Sequence, residues 1–445
     1  MKFRAVHGVP IFSPSTHLNH LHNQRRCFTS LLKKLQKTTQ VRASLNGASG
    51  SSKGNGGWFL LPGATVATLL MLGVLHGRRM YEDMKVGEAY EKGIEFEFQP
   101  DAKSAFLRLL PLRSISRCWG VLTSVEIPVS LRSRVYGAWA RAFHSNLEEA
   151  ALPLEEYATL RDFFVRTLKE GSRPIDPDPQ CLVSPVDGTV LRFGEIKGAG
   201  AMIEQVKGFS YSVFSLLGAT SFLPTIAKGD MQDESSKPEN VSGEKSRKSW
   251  WSISFASPKV WNPYSSRPMK GLFYCVIYLK PGDYHRVHAP ADWNILARRH
   301  FSGRLYPVNE RATRTIRNLY VENERVVLEG LWQEGFMALA AVGATNIGSI
   351  ELSIEPELQT NQAKKKLLHS ERPEERLYEP DGVGRTLKKG DEVAAFNMGS
   401  TVVLVFQAPI SRSPENGESS SDFKFLVRRG DRVRVGEALG RCQDR

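Results

Sequence analysis

The stretch Phe396-Asn397-Met398-Gly399-Ser400-Thr401-Val402-Val403-Leu404-Val405-Phe406 constrains the fold most strongly. Its second half is an uninterrupted apolar, β-branched run too short for a helix, which reads as a buried strand. Similar short runs recur from Leu182 onward, at Gly188–Phe193, Leu272–Leu279, Arg325–Val327 and Phe336–Val342, separated by turn glycines and prolines. Two passages near the end, Lys388-Lys389-Gly390-Asp391-Glu392-Val393 and Arg428-Arg429-Gly430-Asp431-Arg432-Val433, repeat one turn pattern. With Ser184-Pro185-Val186-Asp187-Gly188-Thr189-Val190 they resemble the turns of lipoyl- or biotinyl-type β-sandwiches. The expected fold is α+β: mainly β, with barrel-sandwich-like strands, N-terminal helices and one transmembrane helix.

Ser400 stands at the head of the apolar run, where backbone freedom is restricted, and Gly399 before it offers a carbonyl with no side chain to shield it. A hydroxyl beside such a carbonyl can attack it once a base takes the proton. The base candidates are His285 and His288 in Asp283-Tyr284-His285-Arg286-Val287-His288-Ala289-Pro290, and the acid candidate is Asp187. Each signal is weak alone. The chain holds four Gly-Ser pairs, at 50–51, 171–172, 348–349 and 399–400, and only the last is followed by Thr and a long apolar strand. His285 and His288 would share a face on one helical turn. That spacing also suits a metal pair, but no nearby Cys or third His completes a site. Asp187 in Pro-Val-Asp-Gly is by itself a turn residue.

Taken together, Gly399-Ser400-Thr401 before an apolar strand, Tyr284-His285-Arg286-Val287-His288-x-Pro290 and Ser184-Pro185-x-Asp187-Gly188 resemble the pyruvoyl-dependent phosphatidylserine decarboxylases, of the mitochondrial proenzyme type. The resemblance runs from about Tyr157 to Ala408 and takes in Phe163-Phe164-Val165-Arg166, Gln205-Val206-Lys207-Gly208, Asn323-Glu324-Arg325-Val326 and Val342-Gly343-Ala344-Thr345. Met398 replaces the usual Leu before Gly-Ser-Thr, a nearly isosteric exchange. The resemblance implies that His288, oriented by Asp187, activates Ser400 to cut the chain after Gly399. Ser400 would then become a covalent pyruvoyl cofactor that forms a Schiff base with phosphatidylserine, and loss of CO2 would lead to phosphatidylethanolamine. It also implies that His285 acts in the decarboxylation. The products of cleavage would be a β chain ending at Gly399 and an α chain of 46 residues from Ser400, retained together.

The charge distribution adds an address. The net charge of +13 suggests nucleic acid, but no Asp or Glu precedes Glu82, and residues 1–81 hold eleven Lys and Arg. The rest is nearly balanced, so the excess is an N-terminal signal and not a nucleic-acid footprint. Residues 1–57 read as a mitochondrial transit peptide and linker. The charge-free stretch Trp58–Leu75, flanked by Trp58 and Arg78-Arg79, reads as a single membrane span. Residues 76–150, with Arg108, Arg113, Arg117, Arg132, Arg134 and Arg141 among apolar residues and breaks at Pro111 and Pro128, read as basic amphipathic helices on a lipid surface or as a cap on the following domain. The catalytic domain is then 151–445, opening with a helix over Leu152–Leu168. The expected location is the mitochondrial inner membrane, with the catalytic domain facing the intermembrane space.

Two polar stretches, Lys228–Lys248 and Ser411–Ser421, read as surface loops. Five scattered cysteines without C-x-x-C pairing argue against a disulfide framework or a zinc site. Two other readings are a serine hydrolase using Asp187, His288 and Ser400 on an external ester, and a non-catalytic membrane-anchored β-sandwich. The first lacks a G-x-S-x-G elbow, and the second needs neither histidine nor Ser400.

Overall fold

The computed structural model describes residues 107–443 apart from 198–200, 219–220, 222–268, 346–348, 363–371, 379–383, 398–399 and 413–418, with isolated positions between 81 and 99. Residues 1–57, read above as a transit peptide and linker, the stretch Trp58–Leu75, the insert Lys228–Lys248 and the residues Met398 and Gly399 lie outside the described residues. Among the described residues no helix is long and apolar enough to cross a membrane.

The apolar run after Gly399 is the axis of the fold. Ser400–Arg412 forms one 13-residue strand, in register on one side with Met269–Leu279 and on the other with Gly335–Gly343. Val402 to Phe406 are all fully buried, which is why the stretch carries no polar alternation. The large sheet takes the order Glu374–Leu377, Trp293–Phe301, Arg325–Trp332, Gly335–Gly343, Ser400–Arg412, Met269–Leu279, Gly188–Ile196, Arg432–Val433. Every pairing in it is antiparallel. Two three-stranded sheets flank it: Ile350–Leu352, Glu392–Phe396 and Arg286–His288 form one, and Cys181–Val183, Ala438–Cys442 and Phe423–Phe425 the other. The described chain is thus mainly β with a few short helices.

The repeated Gly-Asp turns share one geometry. Lys388 N–H donates to the Asp391 carboxylate at 2.7 Å and Arg428 N–H to Asp431 at 2.7 Å. Lys280–Asp283 and Arg434–Glu437 form the same bond at 2.7 and 2.9 Å. Gly390, Gly430 and Gly436 take positive φ, near +90°, which favours glycine at those corners. The Gly390, Gly430 and Gly436 N–H groups then dock on the carbonyls of Ala289, Val190 and Ser184.

The structure corrects several local expectations. Leu152–Leu168 is not one helix but a 3-10 turn at Leu154–Glu156 and a short helix at Leu160–Phe164, capped by Thr159 and Asp162. Ser411–Ser421 is not a loop throughout: Ser411 and Arg412 continue the central strand, and Ser419–Ser421 pairs back onto it. The N-terminal helices, Leu112–Thr123 and Val129–Phe143, begin after Pro111 and Pro128, where a missing N–H costs nothing. Their arginines divide between two roles. Arg113 and Arg132 are buried, Arg113 reaching Gly303 O at 2.9 Å and Glu324 at 3.3 Å and Arg132 reaching Ile127 O at 2.8 Å. Arg134 and Arg141 are exposed.

Candidate active site

Sheet register brings Ser400 and Asp187 to one end of the large sheet. Ser400 lies opposite Leu279, and Thr401 opposite Tyr278. Tyr278 is in turn opposite Thr189 on its other side. Gly188 and Ser400 therefore flank the end of the Met269–Leu279 strand, two strand spacings or about 10 Å apart. Asp187 precedes Gly188, so it enters at the same end. Gly188 is tightly enclosed, since a Cβ there would lie 2.6 Å from Tyr278 O. Beyond Leu279 the Lys280–Asp283 turn delivers Tyr284, His285 and the Arg286–His288 strand.

Ser400 is 0% exposed, and neither its Oγ nor the Thr401 Oγ1 has a hydrogen-bond partner among the described residues. An unsatisfied buried hydroxyl costs about 1–3 kcal/mol.

The two histidines do not share a helical face. Residues 286–288 are extended, so a separation of three sends the rings to opposite sides. His285 is wholly buried, its ring against Phe164 at 4.0 Å between centroids. Its Nδ1 donates to Asp283 O at 2.8 Å, which leaves Nε2 as a bare lone pair without a partner among the described residues. Burial pushes its pKa down to about 3, against the Asp283 carbonyl, and the nearby Arg166 charge lowers it further. His288 donates from Nδ1 to Gly390 O at 2.7 Å, and its Nε2 accepts from the Tyr284 hydroxyl at 3.1 Å. Burial lowers the His288 pKa, opposed by the Gly390 carbonyl and by the charges of Glu392 and Asp187. Burial also pushes the Tyr284 phenol up to about 12, so it stays protonated and donates. Both imidazoles are neutral at pH 7, each with a free-base Nε2.

Asp187 is held elsewhere. Its carboxylate accepts from Arg173 Nε at 3.0 Å and Nη2 at 2.5 Å and from Val435 N–H at 2.9 Å. Arg173 Nη2 also pairs with Glu149 at 2.9 Å. Among the described residues no hydrogen bond joins Asp187 to His288, or His288 to Ser400. The Asp187 charge is nevertheless felt at the His288 ring. The Gly390 carbonyl orients His288, and register brings only Asp187 and Ser400 to the same end of the large sheet. Gly399 lies outside the described residues.

Sequence reasoning did not single out Arg173, Gly390, Asn397 or Arg161. Asn397, two residues before Gly399, is fully engaged. Its Oδ1 accepts from Arg161 Nε at 3.1 Å, and its Nδ2 donates to Ser349 Oγ at 2.5 Å and Glu351 Oε1 at 2.7 Å. Arg161, Ser349 and Glu351 also line an open cavity of about 520 Å³ together with Arg286 and Glu392. No local pattern marks these residues, because their partners stand far away in sequence.

Comparison with known proteins identifies the family. The family model described as phosphatidylserine decarboxylase matches residues 160–441. The chain is 66% identical to phosphatidylserine decarboxylase proenzyme 1, mitochondrial, of Arabidopsis thaliana over the whole of both chains. It is 63% identical to the protein of the same name from Oryza sativa, over 89% of this chain and 91% of the relative. A mitochondrial phosphatidylserine decarboxylase proenzyme from Cricetulus griseus is 37% identical, over 82% of this chain and 80% of its own. A matched region spanning most of the fold, together with full-length identity of this order, places the chain in the phosphatidylserine decarboxylase family.

Proposed function

We propose that this chain is a self-processing mitochondrial decarboxylase that converts phosphatidylserine to phosphatidylethanolamine and CO2 by means of a pyruvoyl group made from Ser400. The observation that carries the reading is the buried Ser400 Oγ, unpartnered at the head of the central strand, with two neutral histidines entering at the same end. The word proenzyme in the relatives' names supports self-processing.

In cleavage, the Ser400 Oγ gives its proton to His288 Nε2 and attacks the Gly399 carbonyl. The C–N bond breaks as the imidazolium returns that proton to the departing Ser400 nitrogen, and the amide becomes an ester. Tyr284 must yield its place on Nε2 for this step, and Asp187 supplies the negative charge that favours the imidazolium. Loss of the Ser400 Cα proton expels the Gly399 carboxylate and leaves a dehydroalanine. Tautomerisation, addition of one water and loss of ammonia turn that residue into a ketone.

The residues fit such a group, since Ser400 and Thr401 are buried, without polar partners among the described residues, and bordered by apolar neighbours. The pyruvoyl carbonyl supplies an electrophile for the substrate amine and a sink for the electron pair that CO2 leaves behind. His285 Nε2, a bare lone pair, takes the proton from the substrate ammonium and returns one to the carbon after CO2 departs. Phe164, packed on His285, keeps water from that ring, and an apolar surround favours a step in which charge disperses.

The N-terminal part completes the proposal: residues 1–57 address the chain to the mitochondrion, 58–75 span the inner membrane once, and 76–150 lie on the lipid surface. The catalytic domain, 151–445, faces the intermembrane space, its β chain ending at Gly399 and its α chain spanning 400–445. Support for lipid contact comes from Val121, Leu122, Val125, Val129 and Leu131, all exposed on the two N-terminal helices and the turn between them.

The test is the intact mass of the purified protein. The expected result is two chains, the smaller matching residues 400–445 with a ketone in place of its terminal amine, and a single uncut chain in Ser400→Ala. An active enzyme in one uncut chain would overturn the reading.

A further inference from the structure

The segment Phe163-Phe164-Val165-Arg166 ends in a charge that the mechanism above does not use and that is the least expected near the site. Arg166 is 4% exposed. Its Nε has no hydrogen-bond partner among the described residues, and its one hydrogen bond there, from Nη1 to Phe163 O, is 3.5 Å long, at the limit of a real one. No carboxylate lies within ion-pair distance of it among the described residues. The neighbouring acids that feel its charge, Asp187 and Glu149, are both committed to Arg173. What it does touch is a ring: its guanidinium sits 5.2 Å from the Phe163 centroid. Buried arginines are normally paired and hydrogen-bonded, because an isolated one forfeits its hydration without return. This one is instead half dressed, with an aromatic face on one side and unused donors on the other.

Its position gives those donors a purpose. Phe164, two residues before it, lies on the His285 ring, and the Val165 carbonyl between them is fixed by Arg286 Nε at 2.9 Å. The Arg166 charge is felt at His285. The His285 carbonyl accepts from Phe396 N–H at 2.9 Å, so the same cluster borders the strand that leads to the cleavage point.

We propose that Arg166 is the binding residue for the phosphodiester of the substrate headgroup, an inference that rests on the decarboxylase reading. The headgroup carries two anions, a carboxylate and a phosphodiester, and the chemistry separates them. The carboxylate loses its charge as CO2 forms, so an arginine on it would stabilise the ground state and oppose the step. The phosphodiester keeps its charge throughout, so an arginine there contributes equally to substrate, transition state and product. A planar guanidinium also matches two phosphate oxygens at once.

The experiment uses the processed enzyme with its ketone reduced by borohydride, so that binding is read without turnover. Dihexanoyl phosphatidylserine and dihexanoyl phosphatidylethanolamine are titrated calorimetrically into the parent, Arg166→Met and Arg166→Lys. The expected result is that Arg166→Met weakens both ligands by about 10- to 100-fold, that Arg166→Lys recovers part of the loss, and that Arg166→Met melts no lower than the parent. In unreduced enzyme KM should rise with kcat little changed, the signature of uniform binding. Weakening of phosphatidylserine alone would place the arginine on the carboxylate and overturn the assignment. Unchanged affinity for both lipids, or a lower melting temperature with normal affinity in Arg166→Lys, would make Arg166 structural and also overturn it. A parent protein that stays uncut or ignores phosphatidylserine would instead refute the decarboxylase reading.

Discussion

Arg173 grips the Asp187 carboxylate with two nitrogens, Nε at 3.0 Å from Oδ1 and Nη2 at 2.5 Å from Oδ2. Asp187 is therefore a structural ion-pair partner as well as the acid of the proposed triad. Its third bond, from Val435 N–H, ties it to the segment 400–445, so in the cleaved protein this carboxylate would join the two chains.

This pairing predicts a separable pair of effects. Arg173→Gln leaves Asp187 and Glu149 without their shared cation and should cost about 3–5 kcal/mol, the usual result of breaking a buried pair from one side. Asp187→Asn should cost a similar amount. The double variant should recover part of this loss through coupling of about 0.5–3 kcal/mol, yet still fail to cut itself at the parent rate. Urea unfolding together with the ratio of cut to uncut chain on a gel checks both halves. Parent-like cleavage in the double variant would remove Asp187 from the chemistry.

Cleavage should follow the protonation of His288. Burial holds its pKa below the usual 6.5, so Nε2 is already free base at pH 7. The cleavage rate should be flat from about pH 7 to 8.5 and fall tenfold per unit once pH drops below that lowered pKa. His288→Ala should slow cleavage by roughly 10²- to 10⁴-fold. A rate still climbing tenfold per unit above pH 7 would point to a different base.

His285 should make the fold acid-sensitive. Its pKa falls from 6.5 to about 3 on folding, so the unfolded chain binds the proton more tightly. Its contribution is fully present above pH 6.5 and is lost progressively as pH falls toward 3. The loss reaches on the order of 5 kcal/mol at the acid end, at 1.36 kcal/mol per unit. His285→Phe should flatten the stability profile between pH 6.5 and 4, measured by urea midpoints. With His288 as the proposed cleavage base, this variant should also cut itself while losing decarboxylation.

The two N-terminal helices should bind lipid through their exposed apolar side chains. Val121 and Leu122 are 72% and 60% exposed, so Val121→Asp with Leu122→Asp should change stability by no more than about 0.5 kcal/mol. Sedimentation with vesicles containing anionic lipid should fall severalfold. Equal binding by the parent and the double variant would return these helices to the role of a cap.

Gly188→Ala tests the crowding beside Asp187. A Cβ there would meet Tyr278 O at 2.6 Å, so the sheet must spread at the end where Ser400 sits. The expected cost is about 1–3 kcal/mol, with slower cleavage. A stable variant cutting at the parent rate would show that the sheet end tolerates movement.

The sequence by itself determined the central strand and the turns around it. The run Val402–Phe406 is a buried strand because nothing in it can face water, and the Gly-Asp turns fall where positive φ and a local carboxylate acceptor are needed. Those signals are local, so they survive without a partner in view. The tertiary structure decided who meets whom. His288 is oriented by Gly390, 102 residues away in the chain, and Asn397 is pinned by Arg161 from 236 residues away. Arg113 turns inward to Glu324 while Arg134 stays in water, although both belong to the same basic stretch. The helical spacing of His285 and His288 gave way to an extended segment because Arg286–His288 pairs with Glu392–Phe396. In each case strand register and long-range burial chose the partner, and neither is written in the few residues around the group it fixes.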